Sequence, residues 1–147
     1  MISAIEQSEK EGKMIPETKQ MSLEIGGKTV TIETGKYAQS TNGSVTVRCG
    51  DTMLFVHAVV SKEPRVGIDF FPLLIDYEER MSSIGRIPGG YNRSEGKASD
   101  KAILVSRLID RPIRPLFPKG YRNDIQIVAQ LFSYDQQNQP DTLAMLG

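Results

Sequence analysis

The strongest chemical signal in this sequence is a set of arginines. Arg107, Arg111 and Arg114 are spaced by four and three residues, so a helix sets them on one face. Arginine stays charged and offers a planar fork that matches phosphate oxygens. Just upstream runs Gly85-Arg86-Ile87-Pro88-Gly89-Gly90-Tyr91-Asn92-Arg93-Ser94-Glu95-Gly96. Its glycines let a backbone come close to a polyanion, and Arg86 and Arg93 supply bidentate donors. Tyr91 offers a flat face for a nucleobase, a contact worth ~1–3 kcal/mol. The bland alternative is a solvated loop followed by salt-bridged arginines. Against it, ten Lys/Arg but only three acids lie between Arg80 and Arg122. That local excess of +7 in a chain with eighteen bases and eighteen acids predicts an anion-binding face.

Other reactive groups are sparse. His57 is the only histidine. It sits within the most apolar stretch, where a hydrogen-bonded core histidine is expected rather than a catalytic one. Cys49 is the only cysteine, so an intrachain disulfide is excluded, and an inert packed thiol is expected. No Cys/His cluster has zinc-ligand spacing. Asp76-Tyr77-Glu78-Glu79 could attract a divalent cation, but reads more simply as a solvated strand end.

These groups need elements to hold them. Residues 1–14 are polar and aperiodic and read as a tail; residues 15–147 read as one core domain. Gly26-Gly27 separates two alternating stretches, Ser22–Ile25 and Lys28–Glu33, which predicts a tight hairpin. Ser44–Cys49 alternates as a half-buried strand. Thr52–Val60 is apolar on both faces and should be a central strand covered on both sides. Phe70–Tyr77 is a further strand, with Pro72 indicating an edge or bulge near its start. Ser99 can cap a helix opening at Asp100, with Ala102, Val105, Ile109 and Ile113 forming its apolar face. Pro112 should end or kink it near Arg111. Ile125–Phe132 is another strand. Pro140-Asp141 opens a second helix with Asp141 as its cap, and the chain stops within an apolar stretch, as a fragment of a longer protein would.

Composition narrows the class. Hydrophobic residues make up 39% and charged residues 24%, which suits a globular fold of α+β type with a mixed or antiparallel sheet packed on helices. The longest apolar run, Met53–Val60, is far short of the ~20 residues that span a bilayer. The N-terminus lacks a signal-peptide core, and the expected location is the cytoplasm.

The string Arg107-Leu-Ile-Asp-Arg-Pro-Ile-Arg-Pro-Leu-Phe-Pro118, with Gly85-Arg-Ile-Pro-Gly89, Asp69-Phe-Phe-Pro72, Ile32-Glu-Thr-Gly35 and Pro140-Asp141…Ala144-Met145, closely resembles the bacterial polynucleotide phosphorylase family. The resemblance runs from about Ile15 to Gly147 and implies the front part of the first of two RNase PH-like core domains, truncated at its C-terminal end. It further implies 3′-to-5′ phosphorolysis of single-stranded RNA to nucleoside diphosphates, with inorganic phosphate as co-substrate, a need for Mg²⁺, a homotrimeric ring and partners in RNA-degradation complexes. In the family, metal ligands and catalytic residues lie mainly in the second core, so none is expected here. Tyr91-Asn92-Arg93-Ser94 falls where the family has Phe-Phe-Arg-Arg facing an RNA channel; Tyr91 keeps one ring and Arg93 one cation. Arg86, Tyr91 and Arg93 are therefore the expected RNA contacts, and Arg107, Arg111 and Arg114 the expected phosphate contacts. Phosphorolysis brings two anions together, so fixed cations must offset their repulsion. The rival expectations are a non-catalytic RNA-binding module and a free-standing ribonuclease PH-type exoribonuclease.

Overall fold

The computed structural model of the chain describes residues 17–87 and 97–147. The N-terminal tail, Tyr91 and Arg93 lie outside the described residues. Six strands form one mixed sheet: β1 (Lys19–Ile25), β2 (Lys28–Thr34), β3 (Gly43–Cys49), β4 (Thr52–Pro64), β5 (Leu73–Glu79) and β6 (Asn123–Ser133). Their spatial order is β1-β2-β3-β4-β6-β5. Neighbours run antiparallel except β5 and β6, which are parallel. Two helices complete the fold, α1 (Asp100–Ile113) and α2 (Pro140–Leu146).

Local chemistry explains the turns. Gly26 and Gly27 both take positive φ, 59° and 75°, the conformation a two-residue hairpin turn requires. Register then follows from alternation: Val30 pairs with Cys49, and Ile32 with Val47. The same parity carries Val47, Leu54, Val56, Ile75, Tyr77, Ala129 and Leu131 onto one sheet face, where they meet Ala102, Val105 and Ile109 of α1 and Leu143 and Ala144 of α2. This is the core. Burying such side chains is worth roughly 1.5–3 kcal/mol each.

The helix start is as the sequence indicates. The Ser99 hydroxyl accepts from the Ala102 N–H at 3.1 Å, and Asp100 sits in the first turn. Three expectations need correction. Pro112 does not end α1 at Arg111; the helix runs through it to Ile113 and tightens into a 3₁₀ turn at Arg114–Leu116. A proline in the last turn forfeits one backbone bond there, and the following N–H groups still find acceptors: Arg114 N–H reaches the Asp110 carbonyl. Asp141 does not cap α2. Gln139 holds that position, Pro140 opens the helix, and Asp141 turns inward instead. Finally, β4 is central but not covered by helices on both sides. Leu54 and Val56 face the helices. On the other face Phe55 is shielded by rings, with Tyr37 edge-on at 6.0 Å and Phe132 stacked at 5.6 Å, while Val59 stays exposed.

Cys49 is buried and free. No helix among the described residues is long and apolar enough to cross a membrane.

Candidate functional site

The arginine helix stands beside the edge strand β5. Between them, bounded by a 3₁₀ turn at Met81–Ile84, opens a groove of about 1200 Å³. Arg107 and Arg114 line it, with Lys97 and Lys101 nearer its other end; Arg111 does not. The three arginines therefore share a helix but have different environments.

Arg114 is consumed by structure. Its Nε and Nη2 donate to the Asp110 carboxylate at 3.0 and 2.8 Å. Its Nη1 and Nη2 donate to the Phe71 and Leu73 carbonyls at 3.1 and 3.4 Å. The guanidinium also lies 5.6 Å from the Phe71 ring centre, and that ring packs on Phe117 and Tyr121. One side chain thus fastens the end of α1 to the start of β5. Arg107 and Arg111 are exposed and have no ion-pair or hydrogen-bond partner among the described residues. Arg86 is exposed just past Gly85, which ends the 3₁₀ turn at φ 68°. Of the expected site residues, then, the fold brings Arg107 to the groove and gives Arg114 a clamping position. It leaves Arg111 on the outer helix surface and Arg86 at the start of the Gly-rich loop.

A polar network forms the groove floor. Tyr77 is almost fully buried, and its hydroxyl donates to Glu79 at 3.0 Å and lies 3.5 Å from Asp141. Burial first, then the charges of Glu79 and Asp141, push its pKa far above the ordinary phenol range. Lys101 pairs with Glu79 at 3.2 Å and Asp141 at 3.7 Å. Burial opposes its charge, but the hydrogen bond and charge of Glu79, with help from Asp141, leave its pKa raised. This network joins β5, α1 and α2. Sequence reading missed it, because its members lie in three separate elements and the local signals at Glu79 and Asp141 pointed to a strand end and a helix cap.

The acidic run does not converge. Strand alternation puts Asp76 and Glu78 on the face opposite Tyr77 and Glu79. Glu78 is tied to Arg80 and Asp76 to Gln126. Among the described residues no three His, Cys, Asp or Glu are grouped to hold a metal. His57 also departs from expectation. It is half-buried and stacked on Phe55 at 5.1 Å, and its buried Nδ1 has no hydrogen-bond partner among the described residues. Ring stacking, not hydrogen bonding, holds it in place.

Comparison with known proteins identifies the family and the fold. The 3′ exoribonuclease family, domain 1 (RNase PH), matches residues 26–147. The chain belongs to that family. It is 60% identical over 126 residues to a polyribonucleotide nucleotidyltransferase of Heliobacterium modesticaldum, covering 86% of this chain and 18% of that protein. It is 52% identical over 134 residues to the polyribonucleotide nucleotidyltransferase of Thermomicrobium roseum, covering 91% of this chain and 17% of the relative. The chain thus spans less than a fifth of the length of these relatives. Among solved structures, a chain of the Archaeoglobus fulgidus exosome with RNA bound to the active site has the same fold. That match has TM-score 0.56 and 13% identity, over 89% of this chain and 48% of that one. Rice Rrp46 matches at TM-score 0.50 and 10% identity, over 90% of this chain and 52% of that one. The expected RNase PH-like α+β fold, with its mixed sheet packed on helices, is therefore the fold of this member of the 3′ exoribonuclease family.

Proposed function

We propose that this chain is the phosphate- and RNA-contacting part of a polyribonucleotide nucleotidyltransferase. Such an enzyme degrades single-stranded RNA from its 3′ end by phosphate attack and releases nucleoside diphosphates. One observation carries the reading: Arg107 and Arg111 are left unneutralised among the described residues, on a helix that Arg114 fastens to the sheet. Two cations held on a rigid support suit a step in which phosphate meets a phosphodiester, because they offset repulsion without reorganising. Arg107 and Arg111 bind phosphate oxygens in this reading, and Arg114 holds their helix in place. Arg86, Tyr91 and Arg93 guide the RNA strand, Tyr91 by stacking and the arginines through phosphates.

The family's magnesium requirement fits no carboxylate set described above. In this reading its ligands belong to other parts of the full-length protein. The homotrimeric ring, the RNA-degradation partners and a cytoplasmic location belong to the same proposal.

Two measurements on the 147-residue chain test it. With single-stranded RNA and inorganic phosphate it should release negligible nucleoside diphosphate; robust release would overturn the division of labour. Binding of a short single-stranded oligonucleotide should weaken with salt. The double variant Arg107→Gln/Arg111→Gln should flatten the slope of log affinity against log salt by ~1.4, about 0.7 for each phosphate left unneutralised. An unchanged slope would remove both arginines from the interface.

A further inference from the structure

Two described residues other than glycine hold a positive φ, Ala38 at 51° and Gln136 at 63°. That conformation is disfavoured for any residue with a Cβ, and glycine, asparagine or aspartate is its usual occupant. Ala38 brings only a methyl group to its turn. Gln136 brings a carboxamide.

The fold imposes the bend at Gln136. The preceding Asp135 carboxylate accepts from the Gln137 and Asn138 N–H groups at 2.8 Å each and from the Thr52 hydroxyl at 2.9 Å, which turns the chain sharply. The turn is seated closely on the β3–β4 connection. A Cβ on Gly50 would stand 2.9 Å from the Asp135 carboxylate and 2.8 Å from the Asn138 side-chain nitrogen. The Lys28 ammonium donates to the Asn138 side-chain oxygen at 2.6 Å. Groups from β2, β4 and the β3–β4 turn thus hold the residues on either side of Gln136. They leave its side chain alone. Gln136 is exposed, and its carboxamide has no hydrogen-bond partner among the described residues. Yet it lines the same groove as Lys97, Lys101 and Arg107.

Its position is the carboxyl end of the parallel pair, β5 and β6, beyond which open α/β sheets bind their ligands. There the Tyr134 N–H donates to the Ser83 carbonyl at 3.0 Å. A firmly held, strained backbone that offers one free side chain to a cleft is preorganised for contact. The neighbouring cations already supply the charge and donors that phosphate needs. A carboxamide adds an acceptor beside a donor. Reading a base edge would favour particular sequences, whereas removing nucleotides one after another calls for contacts that every nucleotide repeats. The repeated group that both donates and accepts is the ribose 2′-hydroxyl.

We propose that Gln136 is a specificity-determining residue, whose carboxamide hydrogen-bonds a ribose 2′-hydroxyl of a strand in the groove and so favours RNA over DNA. This deepens the RNA-processing reading and rests on it.

The test is binding of the 147-residue chain to a short single-stranded RNA, to DNA of the same sequence and to the 2′-O-methyl RNA, which lacks the hydroxyl proton. RNA should bind about fivefold more tightly than either, the worth of one hydrogen bond. Gln136→Gly should abolish that preference, with the urea midpoint unchanged or raised because glycine takes a positive φ freely. Gln136→Leu, which keeps the bulk and the strain, should abolish it as well. Neither removes a charge, so the slope of log affinity against log salt should hold. The Arg107→Gln/Arg111→Gln variant should do the reverse, flattening the slope and keeping the preference. A preference for RNA that survives both Gln136 substitutions overturns the proposal and leaves the RNA reading standing, as does a parent chain that binds RNA and DNA equally. A chain that binds neither overturns both.

Discussion

The two edges of the sheet are built on opposite plans. At β5 the helix that follows returns over the strand and closes it. The Ser106 hydroxyl accepts from the Tyr77 N–H at 3.0 Å, and Arg114 takes the Phe71 and Leu73 carbonyls. At β1 the chain turns straight into β2, and no helix among the described residues comes back to it. An unpaired strand edge is left to solvent or to another chain unless its own chain covers it. The β5 edge also shows economy of parts. The helix that covers it is the one that presents Arg107 and Arg111, so closing the sheet and placing the cations are a single act of packing.

That contrast can be broken in graded ways. Ile109 is buried at 1% exposure beneath α1, and Ile109→Ala should cost about 2–5 kcal/mol. Urea unfolding reads this directly, and a loss under about 1 kcal/mol would mean that α1 is not anchored on the core as described. Arg114→Ala should cost about 1–2 kcal/mol, because charge-assisted bonds to two carbonyls disappear while partial exposure discounts the ion pair. It should also weaken RNA binding, and Arg114→Lys should not rescue that binding, since a point charge cannot span Asp110 and both carbonyls. Full rescue by lysine would reduce Arg114 to its charge alone. Ser106→Ala should cost about 1 kcal/mol, with faster amide exchange at Tyr77 as its specific mark. At the open edge, Leu23→Ala should stay within about 0.5 kcal/mol of the parent chain. A larger loss would show that β1 is covered after all.

The last perturbation is read along the acid limb of the stability curve. The Asp135 carboxylate accepts from the backbone N–H groups of Asn138 and Gln137 at 2.8 Å each, and from the Thr52 hydroxyl at 2.9 Å. Those bonds, that from the Asn138 backbone foremost, hold its pKa well below the usual carboxylate range. Because its folded pKa is depressed, its stabilising contribution is present above the unfolded value of about 3.9 and fades as pH falls below it. Asp135→Asn should therefore flatten the acid limb of the stability curve; an unchanged limb would assign acid sensitivity to other carboxylates.

Local signals in the sequence specify local features well. Gly26-Gly27 specifies the hairpin because glycine takes the positive φ that the turn needs without help from distant residues. Ser99 specifies the helix start because the N–H its hydroxyl accepts from, that of Ala102, lies only three residues away. The spacing of Ala102, Val105 and Ile109 specifies the buried helix face for the same reason. What sequence reading misses is decided at long range. The partners of Arg114 at Phe71 and Leu73 lie on another element, so three evenly spaced arginines look equivalent until the fold separates them. Asp141 looks like a cap until Tyr77 and Lys101 claim it. His57 looks like a hydrogen-bonded core residue until Phe55 stacks against it. Of the candidate site, the helix and its cations were legible; the groove floor was not, because Tyr77, Lys101 and Asp141 meet only in three dimensions.

The insertion of β6 between β4 and β5 has a consequence for the chain during its synthesis. Strands β1 to β4 are sequential neighbours and can pair as they emerge, each with the one before. The outer side of β4 then stays bare while β5 and α1 are made, because its partner is encoded after both. Closure of the sheet must wait for β6, and parallel pairing with β5 brings together the most delayed segments of the ladder. Throughout that interval the apolar side of β4, including Leu54 and Val56, lacks its neighbour. A nascent chain paused there presents a sticky half-sheet, the state in which holdase chaperones would find it.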